Sequence, residues 1–315
     1  MPTHTHSKVD SMNKKFVVQA NKLIEAHYYL STGEQKLIHL MASMIRKNHD
    51  DFHSYEFTIK DLAKILDIDL ANAYRDISAI AERLLGQVLH IKLDTGWLKT
   101  VWISSCEYHD GKGTISLSFD PKLKPFLLGM KANFTKYDLL VIIQFKSQHT
   151  IRIYQLLKQY IKFGKREFTV IDLKEKLGLK KTQYPIFTDF RRFIIDKVKK
   201  EFEEKDANGK LKCDLTFILE TIKEGRKITS LRFIIIPQIC TVPAVKADKV
   251  KPAPAQAAKN QPPLSAEMQE FEQWLKENDA FMYGFMQEHG PNALMVQAEY
   301  RKFLERREGV MRQRL

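Results

Sequence analysis

The chain has 315 residues, and its 51 lysines and arginines against 38 acidic residues give a formal net charge of +13. This length accommodates two domains and an appendage, and the basic charge favours a polyanionic partner. The three cysteines lack the CxxC spacing of a zinc knuckle or a disulfide framework, and no apolar run approaches the roughly 18 residues of a membrane span. We therefore expect a cytoplasmic protein with no membrane contact.

The first residues divide into a polar tail and the start of a domain. Residues 1–15 carry no apolar pattern, and we predict that they are disordered. An apolar strand or arm is predicted to begin at Phe16. Ser31 stands three residues before Glu34, which is the spacing of a helix capping box, and an amphipathic helix is predicted from Glu34 to Arg46. The first packed domain is therefore expected to begin near residue 16.

A short segment of the chain occurs twice. Glu56–Ile68 (EFTIKDLAKILDI) aligns without a gap with Glu167–Leu179 (EFTVIDLKEKLGL). In both copies a threonine, Thr58 or Thr169, precedes a short helix that is apolar on one side, and its hydroxyl can cap the free amides of that helix. We infer that the chain contains an internal duplication.

Each copy lies in the same predicted succession of elements. One helix precedes it, a longer helix follows it, and a β-hairpin comes next. The longer helices are predicted at Asn72–Leu85 and Phe187–Glu204, and the matching hairpins at 88–104 and 215–236. Three helices and a hairpin form a winged helix-turn-helix, which is a DNA-reading fold. We therefore predict an α+β protein with two tandem winged helix-turn-helix domains that carry β-hairpin wings.

The rest of the chain is divided by its composition. Phe134–Gly164 has a helical pattern with no internal Pro or Gly, so a stiff helical joint is predicted to hold the two domains in a set relation. The predicted domains are residues 16–140 and 141–240. The Pro- and Ala-rich residues 241–263 are predicted to be a linker, and residues 264–315 a small helical C-terminal segment whose Met and aromatic residues form either a core or a docking surface.

The excess positive charge lies in the second copy. Residues 151–242 carry 21 Lys and Arg against 12 Asp and Glu, whereas residues 1–150 carry 19 against 16. In the second long helix, apolar residues recur every three or four positions and are expected to face the core: Phe187, Phe190, Ile194, Val198 and Phe202. The basic residues of this helix are therefore directed to its other faces.

Candidate DNA-binding residues follow from this pattern. Arg191 and Arg192 are the best candidates for contact with guanine or an adjacent phosphate, because arginine can bond guanine O6 and N7 in a fork. Paired basic residues on an arbitrary helix are more often its solvated face, but their place in the motif favours DNA contact. Further candidates in the second copy are Thr188 and Lys199 on the helix, Lys181, Gln183 and Tyr184 in the preceding turn, and Arg226 and Lys227 at the hairpin tip.

The first copy offers fewer candidates, and one of them is basic. They are Asn72, Arg75 and Ser78, at the start of its long helix. Aligning the two long helices places Ser78 where the second copy has Arg191. We therefore predict that the second domain supplies most of the DNA affinity.

Several separated motifs, in order from Val17 to Ile236, resemble one family. The chain is similar to the iteron-binding plasmid replication initiators with two winged-helix domains. The segments that carry the resemblance are Gln19–Ala26, Leu30–Gln35, Asn72–Arg75, Phe134–Tyr137, Ser147–Tyr160, Gly164–Arg166 and Asp189–Arg192. The linker and the C-terminal segment match nothing in this family.

The resemblance implies a function. It implies that monomers bind direct repeats, or iterons, in double-stranded DNA at a plasmid origin, help to open an adjacent AT-rich region, and gather the host replication initiator and the replicative helicase. It also implies that dimers repress their own gene at a promoter inverted repeat. The second domain would read most of the sequence, and the first would contact DNA and mediate dimerisation. No cofactor is implied.

Two other functions compete with this one. A dimeric winged-helix transcriptional repressor without initiator activity would share the fold and the charge, but it would bind one palindrome. A rolling-circle nickase would need a metal-binding pair of histidines near a nucleophilic tyrosine, and the chain's close pair, His4 and His6, has Thr5 between them and no core around it. We therefore predict no enzymatic activity, no catalytic residues and no metal site.

Overall fold

The structure is a computed structural model that describes residues 16–46, 49–109, 111–130, 132–180, 182–240 and 266–278, the last with side chains for 270–276. The chain divides into two units, Met1–Asp248 and Lys249–Leu315, which are described separately. The predicted tail 1–15 and linker 241–263 lie outside the described residues. Among the described residues, no helix has the length and apolar character needed to cross a bilayer.

The first winged-helix domain contains the first copy of the predicted pattern of helices and strands. Its helices are α1 (Asn21–Ile24), α2 (Thr32–Ser43), α3 (Ile59–Leu66), α4 (Ala73–Gly86) and α5 (Lys124–Leu127), with short 3-10 turns at Leu70–Asn72 and Pro121–Leu123. Its strands are β1 (Phe16–Ala20), β2 (Tyr55–Thr58), β3 (Val88–Leu93), β4 (Gly96–Val101), β5 (Ile103–His109), β6 (Thr114–Phe119) and β7 (Phe134–Asp138). The capping box at Ser31 and Glu34 is present.

The second domain follows the same order. Its elements are α6 (Leu139–Ile143), α7 (Gln148–Lys158), β8 (Lys165–Thr169), α8 (Val170–Lys176), α9 (Phe187–Phe190), a π-helical segment (Arg191–Ile195), α10 (Asp196–Phe202), β9 (Leu215–Glu224) and β10 (Lys227–Pro237). Phe190, Val198 and Phe202 are buried as predicted, and Phe187 is half-buried. Phe202 packs on Phe217 at a ring-centroid distance of 5.9 Å. This aromatic core fixes the long helix on the sheet.

The duplicated segment forms a capped helix in both domains. The hydroxyl of Thr58 accepts a hydrogen bond from the Asp61 amide at 3.0 Å, and that of Thr169 accepts one from the Asp172 amide at 3.0 Å. These bonds satisfy amides that the first turn of a helix leaves free. The prediction of two capped helices from the threonine position is therefore confirmed.

The wings pair differently from the prediction. In the second domain β8 pairs with β10, which pairs with β9. In the first domain β2 pairs with β6, which pairs with β5, while β3 and β4 form a separate two-stranded sheet. The strands predicted at 88–104 are thus real, but equating them with β9 and β10 was wrong. The hairpin β5–β6 is the equivalent one, because it alone pairs with the strand that leads into the duplicated helix.

The joint between the domains is also not the continuous helix predicted for Phe134–Gly164. Its first residues form β7, which is antiparallel to β1 and alternates between exposed and buried positions. The side chain of Asp138 then caps α6, and that of Ser147 caps α7. Each cap begins a new helix where the apolar pattern alone suggested one long helix. The joint therefore consists of a strand and two separately capped helices.

The domains are held together by a buried arginine on α7. Arg152 is 2% exposed, and its guanidinium donates to the carbonyl oxygens of Ile24 and Ala26 at 3.1 Å each and to the Tyr28 hydroxyl at 2.5 Å. On the side of the second domain, it donates to the Lys176 carbonyl at 3.2 and 3.3 Å. A single side chain thus joins the chain after β1 to the end of α8.

An ion-pair cluster adds to this joint. The carboxylate of Glu25, in the first domain, lies 2.6 Å from the guanidinium of Arg166 and 2.8 Å from the ammonium of Lys176. Burial by itself would raise the pKa of Glu25, but the two cations outweigh burial and hold this pKa below its ordinary value. Close by, Gly178 has φ of +69°, and a Cβ atom there would lie 3.1 Å from the Tyr28 carbonyl oxygen. The two backbones therefore approach each other closely at this point.

A second buried polar cluster surrounds Gln155. Its carboxamide nitrogen lies 2.9 Å from Gln19 Oε1, Tyr137 Oη and His39 Nε2. His39 Nδ1 lies 2.5 Å from the Gln35 carbonyl oxygen, so an imidazole protonated on Nδ1 satisfies both neighbours. Burial lowers the pKa of His39 to about 4. The folded protein therefore holds this imidazole in its neutral form.

Acidification is expected to destabilise the fold through His39. In the unfolded chain the imidazole takes up a proton near its ordinary pKa of 6.5, whereas in the folded chain it stays neutral down to about 4. The unfolded state binds more protons between these values, so stability is complete above pH 6.5 and should fall by up to about 3 kcal/mol towards pH 4. Urea unfolding at several pH values across this window measures the loss.

Two variants separate His39 from the other histidines. His39→Gln should show a flatter pH dependence, because it removes one buried imidazole whose proton uptake is linked to unfolding, while His149, whose pKa burial also lowers to about 4, stays in place. His53→Gln, at an exposed position, should follow the unsubstituted protein. An equal acid sensitivity in His39→Gln and the unsubstituted protein would contradict this role.

The second unit is described only at α11 (Ala266–Asn278). Phe271 and Leu275 are buried in it, and Phe271 stacks on Trp274 at a centroid distance of 6.3 Å. This helix lies within the segment predicted to be helical, and the rest of 264–315 lies outside the described residues.

Candidate nucleic-acid interface

The long helix of the second domain is interrupted by an extra residue. In the π-helical segment, three successive side chains, Arg191, Arg192 and Phe193, are exposed, and the next two, Ile194 and Ile195, are buried. A regular α-helix would not direct three neighbouring side chains outward and then two inward, and the wider π turn accommodates this pattern. The segment therefore presents both predicted arginines together with an aromatic ring.

The predicted residues on this helix are accessible but differ in their contacts. Arg191 Nε lies 3.4 Å from an oxygen of Asp196, in an exposed pair that water screens. The Arg192 guanidinium lies 4.8 Å from the centroid of the Phe193 ring. Thr188 is exposed, whereas Lys199 is half-buried and lies 3.9 Å from Glu203. The arginines and Thr188 are thus placed for contact, and Lys199 is partly engaged within the protein.

A lysine on α8 stabilises the turn that precedes the long helix of the second domain. Lys174 Nζ donates to the carbonyl oxygens of Gln183 at 3.3 Å and Tyr184 at 2.6 Å, and partial burial lowers the pKa of this lysine. The Gln183 side chain accepts a hydrogen bond from the Lys180 amide at 2.7 Å, and Tyr184 has φ of +50°. Gln183 and Tyr184 therefore shape the turn. Lys181 lies outside the described residues.

Both domains carry a lysine or arginine at the tip of the wing. In the second domain Arg226 and Lys227 are exposed beside Gly225, which has φ of +61°. In the first domain the equivalent turn between β5 and β6 carries the exposed Lys112. The sequence candidates do not include Lys112, because the sequence pattern favours β3–β4 as the first wing, whereas the structure has β5–β6 in that place.

The candidates of the first domain are less available than those of the second. Asn72 is exposed at the start of α4, and Arg75 is exposed but paired with Asp76 at 2.8 Å. Ser78 is half-buried, and its hydroxyl donates to Glu82 at 3.3 Å. Ser78 is thus less outward than its place in the helical pattern suggested.

Sequence reasoning also passed over two residues of the second domain. Phe193 has 38% of its surface exposed, and Lys197 Nζ lies 5.7 Å from the centroid of its ring. The residue pattern alone could not separate Phe193 from the core phenylalanines of the same helix, because the π-helical segment changes which side chains of the helix face the core. Lys197 could have been found from the sequence, because it follows Phe193 by four residues and therefore lies on the same side of the helix.

Together these features define a double winged-helix protein of the DNA-binding class, with an exposed basic helix and basic wing tips. Residues 16–158 match the family described as "Initiator Replication protein, WH1", and residues 169–235 match "Initiator Rep protein, WH2". The chain belongs to this family of plasmid replication initiators. The family resemblance and the two winged-helix domains predicted from the sequence are therefore confirmed. The family consists of DNA-binding proteins rather than enzymes, in agreement with the prediction of no catalysis.

The individual proteins that are similar to this chain include replication initiators by name. The "PI protein" of Escherichia coli is 32% identical over 149 residues, or 42% of this chain, and the chain spans 46% of that protein's length. A "Replication initiation protein" of Escherichia coli is 24% identical over 233 residues, which is 70% of each chain. The crystal structure of the Pi initiator protein in complex with iteron DNA has a TM-score of 0.55 at 21% identity, over 71% of this chain and 98% of that chain. At this identity the likeness shows the shared fold.

Proposed function

We propose that this chain initiates plasmid replication by binding directly repeated sites in double-stranded origin DNA. The observation that carries the proposal is the exposed Arg191 and Arg192 on the long helix of the second domain. The buried Arg152 supports it further, because a fixed domain pair can offer two reading helices to one duplex. The iteron DNA bound to the Pi initiator in its crystal structure supports the same ligand.

The finer steps belong to the same proposal. The second domain, residues 141–240, supplies most of the sequence reading, and the first, residues 16–140, adds DNA contact and dimerisation. The protein assists the opening of origin DNA and recruits the host replication initiator and the replicative helicase. As a dimer it represses its own gene, and it works in the cytoplasm. The family resemblance and the charge of the second domain support this division.

A dimeric repressor without initiator activity is the second candidate. It would use the same fold and the same exposed arginines, but the binding site would differ. A symmetric dimer binds two half-sites related by a two-fold axis, whereas a monomer with two unlike domains binds an asymmetric repeat. The arrangement of sites in DNA therefore separates the two functions.

A nuclease footprint on the DNA that flanks the gene tests the proposal. At physiological salt, we expect evenly spaced protection over direct repeats of about 20 base pairs, because two packed winged helices span roughly two helical turns. The double variant Arg191→Ala, Arg192→Ala is the control and should lose this protection. A single palindromic footprint at a promoter would reject initiation in favour of the repressor.

A further inference from the structure

The ring of Phe193 is an apolar surface in the middle of a polar reading face. It is 38% exposed, although the neighbouring Ile194 and Ile195 are buried and fill the core at this level. The π-helical segment Arg191–Ile195 is what turns the ring outward. Exposing an aromatic ring to water costs free energy that burial against a partner would regain.

The surroundings of the ring point towards nucleic acid. The Arg192 guanidinium and the Lys197 ammonium lie 4.8 and 5.7 Å from the ring centroid, and the Tyr184 ring lies 6.1 Å away. These two cations would bind backbone phosphates, and contact with them keeps the ring in a defined place on the helix. A partner of the ring must therefore be apolar and lie close to phosphates.

Double-stranded DNA offers one apolar group of this kind in its major groove. The edges of guanine, cytosine and adenine present hydrogen-bond donors and acceptors there, whereas thymine also presents its C5 methyl group. Phenylalanine can pack against that methyl group but can form no conventional hydrogen bond with a base edge. Arg191, whose pair with Asp196 is exposed, remains available to bond a guanine.

We propose that Phe193 is a specificity-determining residue that recognises thymine through its C5 methyl group in the half of the site bound by the second domain. The proposal rests on the proposed function, because it requires the long helix to lie in the major groove. It adds a base preference that the two arginines do not supply. The bound sequence should therefore contain a thymine at a fixed position beside the bases read by the arginines.

Replacing thymine by uracil tests this directly, because the exchange removes only the methyl group. The full chain is used to select its preferred duplex from a random-sequence library, and each thymine of that duplex is then replaced in turn by deoxyuridine. For at least one thymine, we expect the exchange to weaken binding about threefold to fourfold. Phe193→Ala should bind the thymine duplex more weakly and lose its sensitivity to this exchange.

Further variants keep the test decisive. Phe193→Gln replaces the apolar ring with a polar side chain and should also lose the sensitivity, and circular dichroism checks that both variants fold. Phe163→Ala removes an aromatic side chain that is 74% exposed outside the long helix, and it should keep the full sensitivity. Agreement among the three variants would assign the methyl contact to Phe193.

The contrary outcomes are distinct. Sequence-specific binding that is indifferent to every uracil exchange would overturn the role of Phe193 and leave the proposed function in place. A methyl effect that persists unchanged in Phe193→Ala would assign the contact to another side chain and also overturn the inference. Selection that enriches no sequence would overturn the proposed function, and the inference with it.

Discussion

Replacing Arg152 with alanine should lower the free energy of unfolding by about 3–5 kcal/mol. The guanidinium donates to the carbonyl oxygens of Ile24, Ala26 and Lys176, which lie in a part of the fold from which water is excluded. Truncation would leave these acceptors without a donor and open a cavity beside the Tyr28 ring, which lies 4.1 Å from the guanidinium carbon. Urea unfolding followed by circular dichroism measures the change.

Two controls separate this loss from a general effect of removing charge. Arg152→Lys keeps the charge but cannot reproduce the fork of five donors, so it should lose an intermediate amount of stability. Arg226→Ala, at the exposed wing tip, should change stability by no more than about 0.5 kcal/mol. A loss below about 1 kcal/mol in Arg152→Ala would show that the joint does not depend on this side chain.

The double substitution Arg191→Ala, Arg192→Ala should weaken binding to the selected duplex by about 2–6 kcal/mol, the sum expected for two groove-facing arginines. Each single substitution should cost about 1–3 kcal/mol and, where the arginine contacts a base, relax the preference at one or two base pairs. Fluorescence anisotropy at fixed salt measures these affinities. Repeating the titration over a range of salt concentrations separates base contacts from phosphate contacts, because a lost phosphate contact lowers the salt slope by about one unit.

The matched control lies in the first domain. Arg75→Ala removes an arginine from the corresponding helix, but this side chain is paired with Asp76, so we expect a smaller loss. A double variant that binds as tightly as the unsubstituted chain would remove the long helix from DNA reading. A larger effect from Arg75→Ala would reverse the predicted division of labour between the domains.

Local signals in the sequence predicted most of the elements. The threonine caps of α3 and α8 and the β-strands of the wings follow from short-range chemistry, so a single sequence was enough to find them. The equivalence of the wings was not local, because pairing between strands about 60 residues apart decides whether β3–β4 or β5–β6 completes the sheet. Spacing to the preceding helix favoured the nearer hairpin, and this choice also concealed Lys112.

The joint between the domains was harder to predict for a similar reason. Arg152 lies more than 120 residues from its partners in the first domain, and those partners are backbone carbonyl oxygens that have no signature in the sequence. The helical pattern of Phe134–Gly164 concealed the two caps within it. In the candidate site, the arginines could be found from spacing, whereas the outward position of Phe193 depends on a backbone irregularity that residue patterns do not encode.

The π-helical segment has a consequence for comparing initiators with one another. It acts as a one-residue insertion within a helix, so side chains beyond it are rotated by about 100° from where an uninterrupted helix would place them. An alignment without gaps, such as that of α4 with the long helix of the second domain, remains in step only up to this segment. A relative with a regular helix would present the equivalent contact one residue earlier. Recognition rules transferred between such proteins by residue number alone would therefore assign the wrong side chain to each base.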